Sequence, residues 1–176
     1  NPKIVGISVL SPYVEIAKRL TYLIRKNSSA LVVWGGIGPT ISPEDHIKET
    51  DVICVGEGER ALTELTEHVR DGKDYKKIKN LWINDGEKVV KNPMGPLIQD
   101  LDALPFSEYG NDNMYFIESN KLSRQDPELS SNTLWLQTSR GCPYSCSFCV
   151  ENTYHDIFKD LGKFVRRRSV DSIIKE

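Results

Sequence analysis

Three short apolar runs constrain this chain more than any other feature: Ile4–Leu10 (IVGISVL), Leu31–Trp34 (LVVW) and Val52–Val55 (VICV). Each is of strand length and rich in β-branched residues. A sheet with one wet face alternates apolar with polar residues; unbroken runs mark strands covered on both faces. The stretches between them carry helical spacing. Ser11-Pro12 reads as a helix start with Ser11 as N-cap, followed by a face of Tyr13, Ile16, Ala17, Leu20, Leu23 and Ile24. Ser42-Pro43-Glu44-Asp45 opens a short helix. Gly56-Glu57-Gly58 turns into a helix carrying Ala61, Leu62, Leu65 and Val69, which stops at Asp71-Gly72. Strand and helix in alternation predict an α/β domain with a parallel sheet over residues 1–72.

Residues 73–132 break that rhythm. Leu81-Trp82-Ile83, Asn84-Asp85-Gly86 and Lys88-Val89-Val90 predict a β-hairpin. Proline and polar residues follow, as a connector, and residues 119–132 (SNKLSRQDPELSSN) read as a mobile stretch. Residues 133–176 start afresh: Leu134–Gln137 reads as a strand, a cysteine loop follows, and Ser169 reads as the N-cap of a last helix.

Composition narrows the function classes. A net charge of −2 gives no reason to expect nucleic acid or an anionic membrane. No apolar run approaches the roughly 18 residues of a membrane span, and NPKIVGISVL lacks the basic start of a signal peptide. Four cysteines in a chain of 176 residues do not make a secreted disulfide scaffold. Clustered thiols in a core-forming protein point to a reducing cytoplasm and a metal.

Three of those cysteines stand in TSRGCPYSCSFCV, as Cys142, Cys146 and Cys149, with the spacing Cys-x3-Cys-x2-Cys. Three thiolates on a short loop can each hold one iron of a cubane. A [4Fe–4S] cluster usually takes four cysteines, so this set leaves the fourth iron open to a ligand that is not protein. Another reading adds His155 and makes a structural Cys3His zinc site in a non-enzymatic α/β module. Its spacing matches no common finger. Cys54, in mid-strand, reads as a small core residue.

The loop closely resembles the radical S-adenosylmethionine (SAM) superfamily, whose signature is Cys-x3-Cys-x-aromatic-Cys, with Phe148 as the aromatic residue. The resemblance assigns Cys142, Cys146 and Cys149 to the cluster and the Phe148 backbone to the adenine of SAM. It implies that SAM chelates the open iron and that one electron cleaves it to start radical chemistry at a C–H bond. A reducing donor such as flavodoxin or ferredoxin and a small-molecule substrate are the implied partners.

The first half resembles the flavodoxin-like cobalamin-binding domain. Ser8-Val9-Leu10 matches its Ser-x-Leu motif and Gly35-Gly36 its Gly-Gly motif, both at carboxyl ends of parallel strands, where open α/β sheets bind ligands. Gly56-Glu57-Gly58 also fits a dinucleotide fingerprint. Two carboxylates, Glu57 and Glu59, would then crowd a pyrophosphate, and no acidic strand end follows. VGEGERALTEL instead resembles the third strand–turn–helix of cobalamin-binding radical SAM proteins. Glu57 either faces the corrin side chains or stabilises the helix start.

Together the resemblances imply an anaerobic magnesium-protoporphyrin IX monomethyl ester cyclase or radical SAM methylase type of enzyme. Its parts are a partial cobalamin domain (1–72), a connector with the hairpin (73–132), and the opening strand and cysteine loop of a partial (β/α)6 barrel (133–176). The expected cofactors are a [4Fe–4S] cluster, SAM and cobalamin. The first two strands of the domain are expected before Asn1, leaving the strand at Ile4 on an edge. Only 27 residues follow Cys149, where six barrel units need roughly 190. The chain reads as a fragment of a longer enzyme, inactive alone.

Overall fold

The computed structural model describes residues 2–110, 113–133 and 135–176. The chain divides into two compact units: Asn1–Leu97 with Tyr144–Gly162, and Ile98–Pro143 with Lys163–Glu176.

The first unit is an α/β sheet. Strand β1 (Ile4–Ser8), helix α1 (Val14–Asn27), β2 (Leu31–Gly35), helices α2 (Ile37–Ile41) and α3 (Pro43–His46), β3 (Val52–Cys54) and α4 (Glu59–Asp71) follow in order. A hairpin of β4 (Leu81–Asn84) and β5 (Val89–Lys91) comes next. The sheet order is β1-β2-β3-β4-β5. The first three strands are parallel; β4 runs antiparallel to β3 and β5 to β4. The hairpin is where the sequence places it, and it extends the sheet. β1 lies on an edge, as expected.

Both faces are covered over β2 and β3, as unbroken apolar strands require, whereas β1, at the edge, has no buried residue. Val33, Val52 and Cys54 pack with Ala61 and Leu65 of α4 and with Leu81 and Ile83. Val32, Trp34, Ile53 and Val55 pack with Ala17 of α1, Val9 and Ile47. α4 ends as its sequence predicts, with Gly72 left-handed at φ 67° and its N–H on the His68 carbonyl.

Two expectations for the first helix are overturned. Ser11 is not an N-cap: Ser11–Tyr13 form a 3-10 turn with Leu10 at its cap, no side-chain cap bond and Pro12 in its first positions, and α1 begins only at Val14. The buried face is also displaced. Ala17 and Thr21 are buried, with Val14 and Ile24 packed beside them, while Tyr13, Ile16, Leu20 and Leu23 are exposed. The two stripes differ by one position along the helix, or about 100° around it. Small residues let the backbone come close to the sheet. Thr21 Oγ1 also accepts a 2.8 Å bond from Trp34 Nε1, which is fully buried. Thr21→Val keeps the shape and strands that N–H, so it is expected to cost about 1–3 kcal/mol. Urea unfolding checks this: an unchanged midpoint would show that the bond is dispensable.

In the second unit, the stretch expected to be mobile carries regular structure. β6 (Phe116–Glu118) and β7 (Lys121–Ser123) form a hairpin, and α5 (Pro127–Ser130) is capped by Asp126, which accepts from Glu128 N. The positive φ of Ser119 and Asn120, 50° and 62°, makes the tight turn. The strand expected over Leu134–Gln137 falls later, at β8 (Ser139–Arg140), paired antiparallel with β9 (Arg166–Arg167). Leu134 lies outside the described residues. Between these two strands the chain returns to the first unit as α6 (Val150–Ile157), which packs against α2 there. α7 (Val170–Lys175), in the second unit, is capped by Ser169 as expected, its side chain accepting from Ser172 N.

Candidate functional site

The carboxyl ends of β1, β2 and β3 open onto a cleft of about 230 Å³. Ser8 lines it from β1, Gly35 and Gly36 from the end of β2, Cys54 from β3, and Gly56 and Gly58 from the turn into α4. These side chains and turns meet because parallel strands with right-handed crossovers put all their carboxyl ends on one edge. Five of the eight residues expected to contact a cofactor are therefore brought together. Leu10 is not in the lining; it is 41% exposed at the cap of the 3-10 turn. Glu57, between two lining glycines, is not in it either. Phe148 lies on the cysteine loop with its side chain 92% exposed.

Gly6 also lines the cleft. A Cβ built on it meets nothing within 4 Å, and one on Gly35 meets only Cys54 Cβ at 3.8 Å. Neither glycine has a left-handed backbone. The chain itself therefore does not require glycine at these two positions. The missing side chains leave a smooth floor for a flat guest, which is the fit a corrinoid's planar groups need.

Sequence reading missed Thr40, which holds the cleft's rim. The side chain is buried, and its hydroxyl donates to Gly36 O at 2.8 Å and accepts from Gly56 N at 3.0 Å. One group thus ties together the two turns that close the cleft. Asn80 braces the same turn through Nδ2 to Val55 O at 2.8 Å, and takes Gly95 N on its Oδ1 at 2.9 Å. A β-turn signal could have marked Asn80; nothing local marks Thr40. Cys54 sits in the lining, but burial, with the charge of Glu59 adding, pushes its thiol up to about 12. It stays protonated and inert.

None of the three loop cysteines is in a disulfide; Cys146 is exposed, and Cys142 and Cys149 are half-buried. Cys142 belongs to the second unit, Cys146 and Cys149 to the first. Cys149 N donates to Cys146 O at 3.0 Å, and Cys149 takes the N-cap position of α6. Among the described residues, no three His, Cys, Asp or Glu side chains are gathered to hold a metal, and that covers His155 as well. The donor set itself fits an iron–sulfur cluster: three soft sulfurs, none of them committed to a disulfide.

Residues 1–66 match the family described as the B12 binding domain. An uncharacterized methyltransferase of Pyrococcus horikoshii is 29% identical over 180 residues, covering 100% of this chain and 36% of its own length. The anaerobic magnesium-protoporphyrin IX monomethyl ester cyclase of Cereibacter sphaeroides is 29% identical, over 86% of this chain and 24% of its own length. The cobalamin-dependent radical SAM methyltransferase TokK of Streptomyces tokunonensis is 31% identical, over 82% and 21%. The chain carries a B12 binding domain over residues 1–66, and relatives named as a magnesium-protoporphyrin cyclase and a cobalamin-dependent radical SAM methyltransferase align over most of it. It spans about a third or less of the length of these curated relatives. Among solved structures, the radical SAM methyltransferase TsrM of Kitasatospora setae matches 100% of this chain and 34% of its own, with TM-score 0.71 and 23% identity, a likeness of fold. Among the described residues, no helix is long and apolar enough to cross a membrane.

Proposed function

We propose that this chain is the central part of a cobalamin-dependent radical SAM enzyme, acting on a small-molecule substrate by methyl transfer or oxidative cyclisation. The observation that carries the reading is the glycine-floored cleft at the strand ends, within residues that match the B12 binding domain. Cobalamin would lie on Gly6 and Gly35, with Ser8, Gly36, Gly56 and Gly58 around it. Cys142, Cys146 and Cys149 would hold three irons of a [4Fe–4S] cluster, and the Phe148 backbone would face the adenine of SAM. When bound, these groups supply the one-electron cleavage of SAM and the carriage of a methyl group. The chain's own residues bind, orient and shield. Thr40 and Asn80 fix the cleft's rim, and the loop thiols offer anionic sulfur to iron once a metal displaces their protons. A reducing donor of the flavodoxin or ferredoxin type in a reducing cytoplasm completes the proposal.

The test uses the full-length protein, reconstituted anaerobically with iron and sulfide beside a zinc-loaded sample, then titrated with hydroxocobalamin. A brown, SAM-responsive species that disappears in Cys146→Ala is expected, with about one cobalamin bound per chain. Tight stoichiometric zinc that also needs His155 would overturn the cluster reading.

A further inference from the structure

Gly56 has a second neighbour besides the cleft. A Cβ built on it would lie 3.1 Å from Cε1 of Phe158, 3.3 Å from Asn80 Nδ2 and 3.3 Å from Met94 Sδ. Phe158 is buried, directly follows α6, and stacks at a tilt on Tyr154 with ring centroids 5.2 Å apart. Its carbonyl takes Leu161 N at 3.2 Å, and Leu161 O takes Leu97 N at 2.8 Å. The far end of the same helix begins at Cys149, whose N–H is bonded to Cys146 O. One helix of 8 residues, about 12 Å long, therefore starts at Cys149, with Cys146 bonded to it through the backbone. Its end is pressed against a turn that lines the cleft.

We propose that Phe158 is a positioning residue: seated on the Gly56 turn, it fixes the Cys146–Cys149 limb of the cysteine loop relative to the cleft. Chemistry shared between two bound groups depends on their separation to within a fraction of an ångström. Neither the cysteines nor the cleft glycines set that separation by themselves. Gly56 must lack a side chain for this seat, since even a Cβ would press on the ring. Thr40 also holds the turn, through Gly56 N, so the ring meets a fixed surface.

This inference rests on the proposed cofactors, and one experiment separates the two ideas. The full-length protein is loaded with iron, sulfide and cobalamin, and the cobalamin is reduced to its paramagnetic cobalt(II) form. Relaxation enhancement of the cobalt signal by the reduced cluster then reports their separation. Wild type and Thr153→Ala, altered on the exposed face of α6, are expected to show one narrow component. Phe158→Ala is expected to retain iron content and cobalamin affinity and to lose that component for a broad, weaker one. Should Phe158→Ala not accumulate as folded protein, Phe158→Met, which keeps the apolar bulk and loses the ring, carries the same comparison. A narrow, unchanged component in the Phe158 variants overturns the positioning role alone. A wild type that takes up neither group overturns the parent reading and this inference with it.

Discussion

Under the proposed cluster reading, Gly141→Ala is expected to strip iron from a protein that still has all three loop cysteines. Gly141 immediately precedes Cys142 and has φ +79°, a left-handed conformation that costs an alanine roughly 1–2 kcal/mol. The larger penalty is steric. An added Cβ would overlap the carbonyl oxygen of Phe164 and lie 2.9 Å from its carbonyl carbon. Both are backbone atoms, so no rotamer change relieves the clash. The segment cannot simply swing away either. β8 is paired to β9 at Ser139↔Arg167 and Arg140↔Arg166, and Arg168 N reaches Thr138 O at 3.0 Å. Either that pairing breaks or Cys142 moves. A total cost of about 3 kcal/mol, in the range of severe single substitutions, is expected in urea unfolding of the full-length protein. Iron per chain after reconstitution should fall towards that of Cys146→Ala. Full iron loading with an unchanged unfolding midpoint would refute the prediction.

The second large effect is a contrast between neighbouring glycines. Gly36 has φ 95° and ψ −163°, and a Cβ there would meet Ser8 Oγ at 3.1 Å and both Val9 N and Val9 O at 3.2 Å. Gly36→Ala should cost about 2–3 kcal/mol, because strain and crowding against backbone add. Gly35→Ala and Gly6→Ala should leave stability unchanged or raise it by up to about 1 kcal/mol, the usual gain on replacing a strand glycine. Their Cβ atoms project into the cleft, so cobalamin affinity should fall roughly tenfold, equal to about 1.4 kcal/mol. Urea melts and cobalamin titrations on the three variants separate the two roles. A Gly6→Ala protein that binds cobalamin as wild type does would show that the cleft floor is not the contact surface.

The fold was legible where its cause is local. Leu31–Trp34 and Val52–Val55 carry their burial in their composition, Ile4–Ser8 carries its strand but not its edge exposure, and Asn84-Asp85-Gly86 carries its turn. The stretch at 119–132 was misread because its polar composition hides a hairpin: Ser119 and Asn120 supply the turn, and Ile117 faces Leu122 across it. Arg166-Arg167-Arg168 stands in the sequence as a short basic run. The structure buries Arg166, which donates to Ile98 O at 2.8 Å, and pairs Arg168 with Glu176 while it lies over the Phe106 ring. A charge run shows its charge in the sequence, but not the carbonyls and carboxylates that it will meet.

The sequence by itself determined the parallel strands, the small residues at their carboxyl ends and the spacing of Cys142, Cys146 and Cys149, because each is written within a dozen residues. Tertiary structure alone decided which stripe of α1 is buried. An apolar arc this wide offers two faces, and only Trp34 waiting for Thr21 selects one. It alone placed Thr40 between Gly36 and Gly56, Phe158 on the Gly56 turn, and Phe164 against Gly141. Each of these needs at least one hydrogen bond or contact between residues well separated in the chain, and such pairings leave no periodicity or composition for a sequence to show.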